Sequence, residues 1–128
     1  MHYLLDTHAL IWFFDKPEAL KPWFWDIYNA QPEVFLVSCV SLWELAIKEN
    51  LNKLEIKTSF EEFLQNVEAT FTDDLLPIKS IHLHALRVLP THHKEPFDRL
   101  LIAQAMAEQM TLVSKDSKVG YYNVKHRW

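Results

Sequence analysis

Glycine is all but missing. One residue, Gly120, stands where ordinary usage would place about nine in a chain of 128. That excludes a glycine-rich phosphate loop and the glycine fingerprint of a dinucleotide-binding fold. Cysteine is equally scarce: Cys39 is alone, so neither an internal disulfide nor a thiolate zinc site can form. A reducing cytoplasm is the natural compartment. No apolar run approaches the roughly 18 residues of a membrane span, and no charged segment precedes an apolar stretch at the N-terminus. The expectation is a cytoplasmic protein with neither signal peptide nor membrane anchor.

What is present points to one domain spanning 1–128. Apolar residues make up 49%, with 5 Trp and 8 Phe, enough for a core that needs no staples. A net charge of −4 argues against a generic nucleic-acid binder, yet the charge is uneven. Residues 1–78 carry 13 acids against 5 Lys/Arg, whereas residues 79–128 carry 4 against 8 and hold 5 of the 7 histidines. A basic face can serve phosphate contacts locally. A solvated mixed surface explains the same charges equally well.

Three bulky apolar residues, Tyr3-Leu4-Leu5, run without alternation into Asp6. Such a run suits a strand buried on both faces at the centre of a parallel sheet. A lone carboxylate is too costly to bury mid-strand, so Asp6 belongs at the strand's C-terminal end, where open α/β sheets bind ligands. Residues 9–14 read as a short apolar helix or turn, and 18–30 as a helix bent or restarted at Pro22. Val34–Val37 is a second apolar strand, and Ser41 starts the next helix. Ser59-Phe60-Glu61-Glu62 is a capping box opening another. Leu75–Ile78 is a short strand whose Pro77 suggests a sheet edge. Ser80 caps a helix ending near Leu89, and Pro96 opens the helix Phe97–Gln109. Thr111–Ser114 is a strand, with a last short one at Tyr121–Val124. Alternating strands and helices make this an α/β domain with a parallel sheet of about four or five strands.

Four acids occupy equivalent topological places. Asp6 ends the first strand; Glu44 and Asp98 lie in first turns of helices; Asp116 follows the strand 111–114 by two residues. Strand C-termini and following helix N-termini share one edge of a parallel sheet, so the four can meet in one crevice. Converging carboxylates repel and call for a cation. Hard oxygen donors without thiolate select Mg²⁺ or Mn²⁺ and suit phosphoryl chemistry. Each acid also has a plainer role. Glu44 completes a Ser41–Glu44 capping box and stands i,i+4 to Lys48. Asp98 suits a helix dipole, and Asp116 can shape a turn. His82 and His84, two apart on a helix, make a poor chelating pair. His92-His93 falls in a loop near the crevice, and Trp12 and Trp43 read as core aromatics.

Four segments together carry a family likeness. They are Leu5-Asp6-Thr7-His8-Ala9-Leu10-Ile11-Trp12, Val40-Ser41-Leu42-Trp43-Glu44-Leu45-Ala46-Ile47-Lys48, His92-His93-Lys94-Glu95-Pro96-Phe97-Asp98-Arg99-Leu100-Leu101-Ile102-Ala103-Gln104-Ala105 and Leu112-Val113-Ser114-Lys115-Asp116. In this order they resemble the PIN-domain ribonucleases, most closely the VapC toxins of VapBC toxin–antitoxin modules. The resemblance implies a three-layer α/β/α fold with sheet order 3-2-1-4-5. It implies Mg²⁺- or Mn²⁺-dependent endonucleolytic cleavage of RNA by activated water. It further implies a homodimer and a cognate VapB-like antitoxin, assembled as a heterotetramer or larger. The family's acidic residues fall on Asp6, Glu44, Asp98 and Asp116, the metal and catalytic candidates. Its hydroxyl residue near the last acid falls on Ser114; His93 and Arg99 are further candidates for substrate contact. Many members carry Asn two after the first acid, where this chain has His8.

Two other functions fit parts of the pattern. A haloacid-dehalogenase-like phosphatase also has an acid after its first strand, but needs a second Asp where His8 stands. A PIN fold that has lost catalysis would serve as a binding module.

Overall fold

A computed structural model describes all 128 residues. Five parallel strands form its centre: β1 (Tyr3–Leu5), β2 (Phe35–Ser38), β3 (Leu75–Leu76), β4 (Thr111–Val113) and β5 (His126–Arg127). Their order is β3-β2-β1-β4-β5, so β1 is central, as its apolar run requires. In register, Leu5 stands beside Val37 on one side and Val113 on the other. Because all strands run the same way, their C-termini emerge at one edge.

Six helices cover the sheet: α1 (Thr7–Asp15), α2 (Pro22–Ala30), α3 (Cys39–Asn50), α4 (Phe60–Thr70), α5 (Ser80–Arg87) and α6 (Pro96–Ala107). Alternation along β1 splits the core in two. Tyr3 and Leu5 face Leu10, Phe24, Phe63 and Val67 from α1, α2 and α4. Leu4 faces the other way, toward Leu100, Leu101 and Ile102 of α6. The result is the three-layer α/β/α arrangement expected. No helix is long and apolar enough to cross a membrane.

Local signals placed several elements correctly. Ser59 caps α4 by accepting the Glu62 amide at 3.1 Å. β3 lies at the sheet edge and stops before Pro77. The chain makes a 3₁₀ turn at Pro17–Ala19 and restarts as α2 at Pro22.

Others moved. α3 begins at Cys39 because Ser38, not Ser41, caps it by accepting the Val40 amide at 3.0 Å. The expected capping box is therefore absent, and Glu44 sits in the second turn with Ser41 buried beneath it. α5 is entered from Lys79 rather than capped by Ser80, and it ends at Arg87. α6 ends at Ala107, two residues short of expectation. Residues 117–121 form a 3₁₀ turn, and the last strand lies at 126–127 instead of 121–124. Tyr122 is turned inward there, its hydroxyl taken by the loop before α6.

The aromatic-rich stretch 12–25 packs inward: Phe24 is buried, and Trp12, Phe13, Phe14, Trp23 and Trp25 are half-buried against the same core. Trp43 departs from its expected core role. It is 50% exposed, edge-on to Phe97. With glycine so scarce, two left-handed positions after helices fall to Asn52 and Gln109, each at φ 56°.

Candidate active site

A cleft of about 410 Å³ opens at the C-terminal edge of the sheet, and Asp6, Glu44, Asp98 and Asp116 all line it. Asp6 follows β1 and caps α1, its carboxylate accepting the Ala9 amide at 2.8 Å. Burial pushes its pKa up; the Ser114 hydroxyl, the Ala9 amide and His8 pull the other way, while Glu44 adds to the rise. Glu44 is 4% exposed. One carboxylate oxygen accepts the Thr7 hydroxyl at 2.7 Å, and the other pairs with Lys48 at 2.8 Å. That i,i+4 ion pair is the one its spacing implied.

Asp98 lies in the first turn of α6. Burial raises its pKa, and the negative charges of Glu44, Asp6 and Asp116 raise it further against the pull of His93. Asp116 differs. Burial raises it, but hydrogen bonds from His93 and the Lys118 amide outweigh that and hold it below the usual range.

His93 is buried, and a small network explains its orientation. The Tyr122 hydroxyl oxygen accepts the backbone amides of His92 and His93 at 3.0 and 2.9 Å. Its own proton is thereby aimed at His93 Nδ1, 3.0 Å away, which leaves Nε2–H to donate to Asp116 at 2.6 Å. His93 thus holds an acid of the cleft from within the loop before α6. Ser114 lies at the cleft floor, 1% exposed, and accepts the Asp116 amide at 3.1 Å. Arg99 is not among the lining residues. Its guanidinium donates to the carbonyls of Pro90 and Leu89, tying down the loop before α6.

Glu95 is a fifth cleft carboxylate that the sequence reading missed. Burial, then Asp98 and Glu44, raise its pKa. Its spacing of three from Asp98 at a helix start was the available signal. Lys48 is the cleft's internal cation: burial lowers its pKa, but Glu44, Glu95 and Asp98 reverse that and raise it.

The donor set is all oxygen, crowded and electrostatically strained, which fits a hard divalent cation. No three of the His, Cys, Asp and Glu side chains close into a ready ligand group. Mg²⁺ suits such a cleft, because it keeps several waters and is commonly held through one or two carboxylates.

The family model of the PIN domain matches residues 3–125. The chain belongs to that family, whose members are phosphodiester hydrolases that generally use divalent metals. Membership sets aside the haloacid-dehalogenase alternative. Among solved structures, VapBC2 from Rickettsia felis bound to a fragment of its promoter DNA is similar at a TM-score of 0.75 and 16% identity, covering 100% of this chain and 99% of that one. DNA-bound VapBC from Salmonella typhimurium gives 0.72 and 14%, covering 99% and 97%. FitAcB from Neisseria gonorrhoeae gives 0.61 and 18%, covering 97% and 95%. Identities this low establish a shared fold. No curated protein matches the chain by sequence.

Proposed function

We propose that this protein is the toxin of a type II toxin–antitoxin pair, a Mg²⁺- or Mn²⁺-dependent endoribonuclease restrained by a VapB-like antitoxin. The observation that carries the reading is the convergence of Asp6, Glu44, Asp98 and Asp116 on one cleft at the ligand-binding edge of the sheet. The likeness to VapBC complexes supports the antitoxin partner.

A divalent cation bound in this cleft would supply positive charge for a scissile phosphodiester and acidify an attacking water. Asp6 and Asp98 would be the residues that chiefly hold it, with Glu44 and Asp116 adding their carboxylates to the same cleft. Thr7 and Lys48 fix the Glu44 carboxylate, and His93 fixes Asp116. Lys48 balances part of the negative charge, so the cleft can admit a phosphate.

Cleavage of single-stranded RNA by the purified chain, with and without Mn²⁺, tests the reading. Asp6→Asn should stay folded and slow cleavage by orders of magnitude. Undiminished cleavage by Asp6→Asn in excess EDTA would discard the mechanism. Expression alone should arrest bacterial growth, and co-expression of a small partner encoded next to it should restore it. Light scattering should give a dimer for the free chain.

A further inference from the structure

Helix α1 leaves the cleft carrying a stripe that the proposed reaction does not use. His8 and Trp12 fall at i and i+4 on α1, so they share one helix face, and Lys16 follows where the helix ends. His8 and Trp12 line the carboxylate cleft, with ring centroids 5.8 Å apart. Trp12 also walls an adjoining groove with Lys16, Lys21, Lys115, Trp128 and Glu18. Lys115 borders both spaces and stands over the Trp12 ring at 5.9 Å. The Trp12 and Trp128 rings lie 5.4 Å apart. Both are half-buried, while the three lysines are exposed.

The charge of this groove inverts that of the cleft it joins. Three lysines face one glutamate, in a chain whose net charge is −4. An acidic cleft repels a polyanion, so a substrate strand needs cations nearby to hold it. Lysines beside aromatic faces meet both demands of a single strand: phosphates on the ammonium groups, bases stacked on the rings. An acidic peptide would satisfy the lysines and leave the rings unmatched. A duplex keeps its base faces covered.

We propose that Trp12 and Trp128, with Lys16, Lys21 and Lys115, form a stacking subsite for single-stranded RNA continuous with the carboxylate cleft. The assignment rests on the ribonuclease reading above. It defines the path by which the strand enters.

Binding of a labelled oligouridylate in EDTA, followed by fluorescence anisotropy, reads this subsite apart from cleavage. Trp12→Ala should weaken binding by about five- to 150-fold, the range for loss of one base–aromatic stack. Trp12→Phe should retain most of the affinity. Lys16→Ala with Lys115→Ala should flatten the slope of log K against log salt by about 0.7 per lysine. The same sequence annealed into a duplex should bind more weakly than the single strand. If Trp12→Ala fails to fold, Trp12→Phe and the lysine pair carry the test, with the salt slope as readout. Wild-type affinity in folded Trp12→Ala, an unchanged slope in the lysine pair, or equal binding of duplex overturns the subsite. So does retained RNA binding by variants that lose only the capture of polyglutamate. RNA binding through Trp12 without Mn²⁺-dependent cleavage by wild type would instead sink the nuclease reading and leave the subsite standing.

Discussion

His93 and Asp116, 23 residues apart, are joined by a hydrogen bond of 2.6 Å from Nε2 to Oδ2. The bond exists because Tyr122 claims the other ring nitrogen. One acid of the cleft is thus aimed by a buried imidazole, which is aimed in turn by a phenol.

His93→Ala should release Asp116 while leaving the other acids in place. Loss of an outer-shell partner of this kind typically costs about 10–100-fold in activity or metal affinity. Steady-state cleavage should show a lower kcat with little change in KM. Tyr122→Phe should lower kcat by freeing His93 and also lower stability, because two backbone amides lose their acceptor, at about 1–3 kcal/mol for each left unsatisfied. Calorimetry reads that as a melting point several degrees lower. Wild-type kcat in His93→Ala would show that Asp116 needs no aiming.

The metal-free cleft should destabilise the fold. Asp6 and Asp98 both have raised folded-state pKa values, chiefly through burial. For such a group the ionised form is the costly one. The cost is absent below the ordinary value of 3.8, grows as pH rises above it, and is complete above the raised value. Acidification through that window should therefore favour the fold as far as these two groups contribute. Asp98→Asn should shrink the dependence and melt at or above metal-free wild type. Mn²⁺ at about 100 times Kd should add roughly 2.7 kcal/mol to wild type and less to the mutant. If wild type ignores Mn²⁺ and Asp98→Asn melts clearly lower, Asp98 is only a helix-start acid.

A second pair has the opposite sign. Fully buried His82 stands 2.7 Å through Nε2 from Glu108 Oε2, while its Nδ1 accepts the Lys79 amide at 2.9 Å. The His82 hydrogen bond outweighs burial and holds the Glu108 pKa below its ordinary 4.5. This contribution is present above that value and is lost as pH falls through it toward the lowered one. Glu108→Gln should cost about 1.5–3 kcal/mol at neutral pH, the range for a hydrogen bond to a charged group. Urea titrations should find the two proteins converging at acid pH; a constant gap would assign the loss to packing.

Gln109 offers a stabilising change. At φ 56° it pays for a left-handed conformation that glycine adopts freely, and its side chain is exposed. Gln109→Gly should gain up to about 1 kcal/mol, since part of the relief is offset by the greater freedom of unfolded glycine. Gln109→Val should be destabilising. Thermal melts of the two variants decide it.

Local chemistry alone determined a good part of this. The apolar run Tyr3–Leu5 ending in Asp6 marked the central strand and its ligand edge, because an unpaired carboxylate cannot continue into the sheet. Pro22, Pro77 and Pro96 marked breaks and starts through their fixed φ and missing N–H. Asp98 followed from Pro96. Packing decided what local signals left open or misread. Ser41-Leu42-Trp43-Glu44 has the letters of a capping box, but Ser38 reaches the helix start first, and Thr7, 37 residues away, claims Glu44. Residues 121–124 have strand-forming side chains, yet Tyr122 is worth more inside, where its hydroxyl satisfies two loop amides. Trp12 reads as core by composition and lines the cleft because α1 leaves the sheet at its open edge. A hydrogen bond between distant residues depends on where two helices come to rest. No window of sequence carries that information, since it arises only when the sheet order brings β1, α3, α6 and the 117–121 turn to one rim.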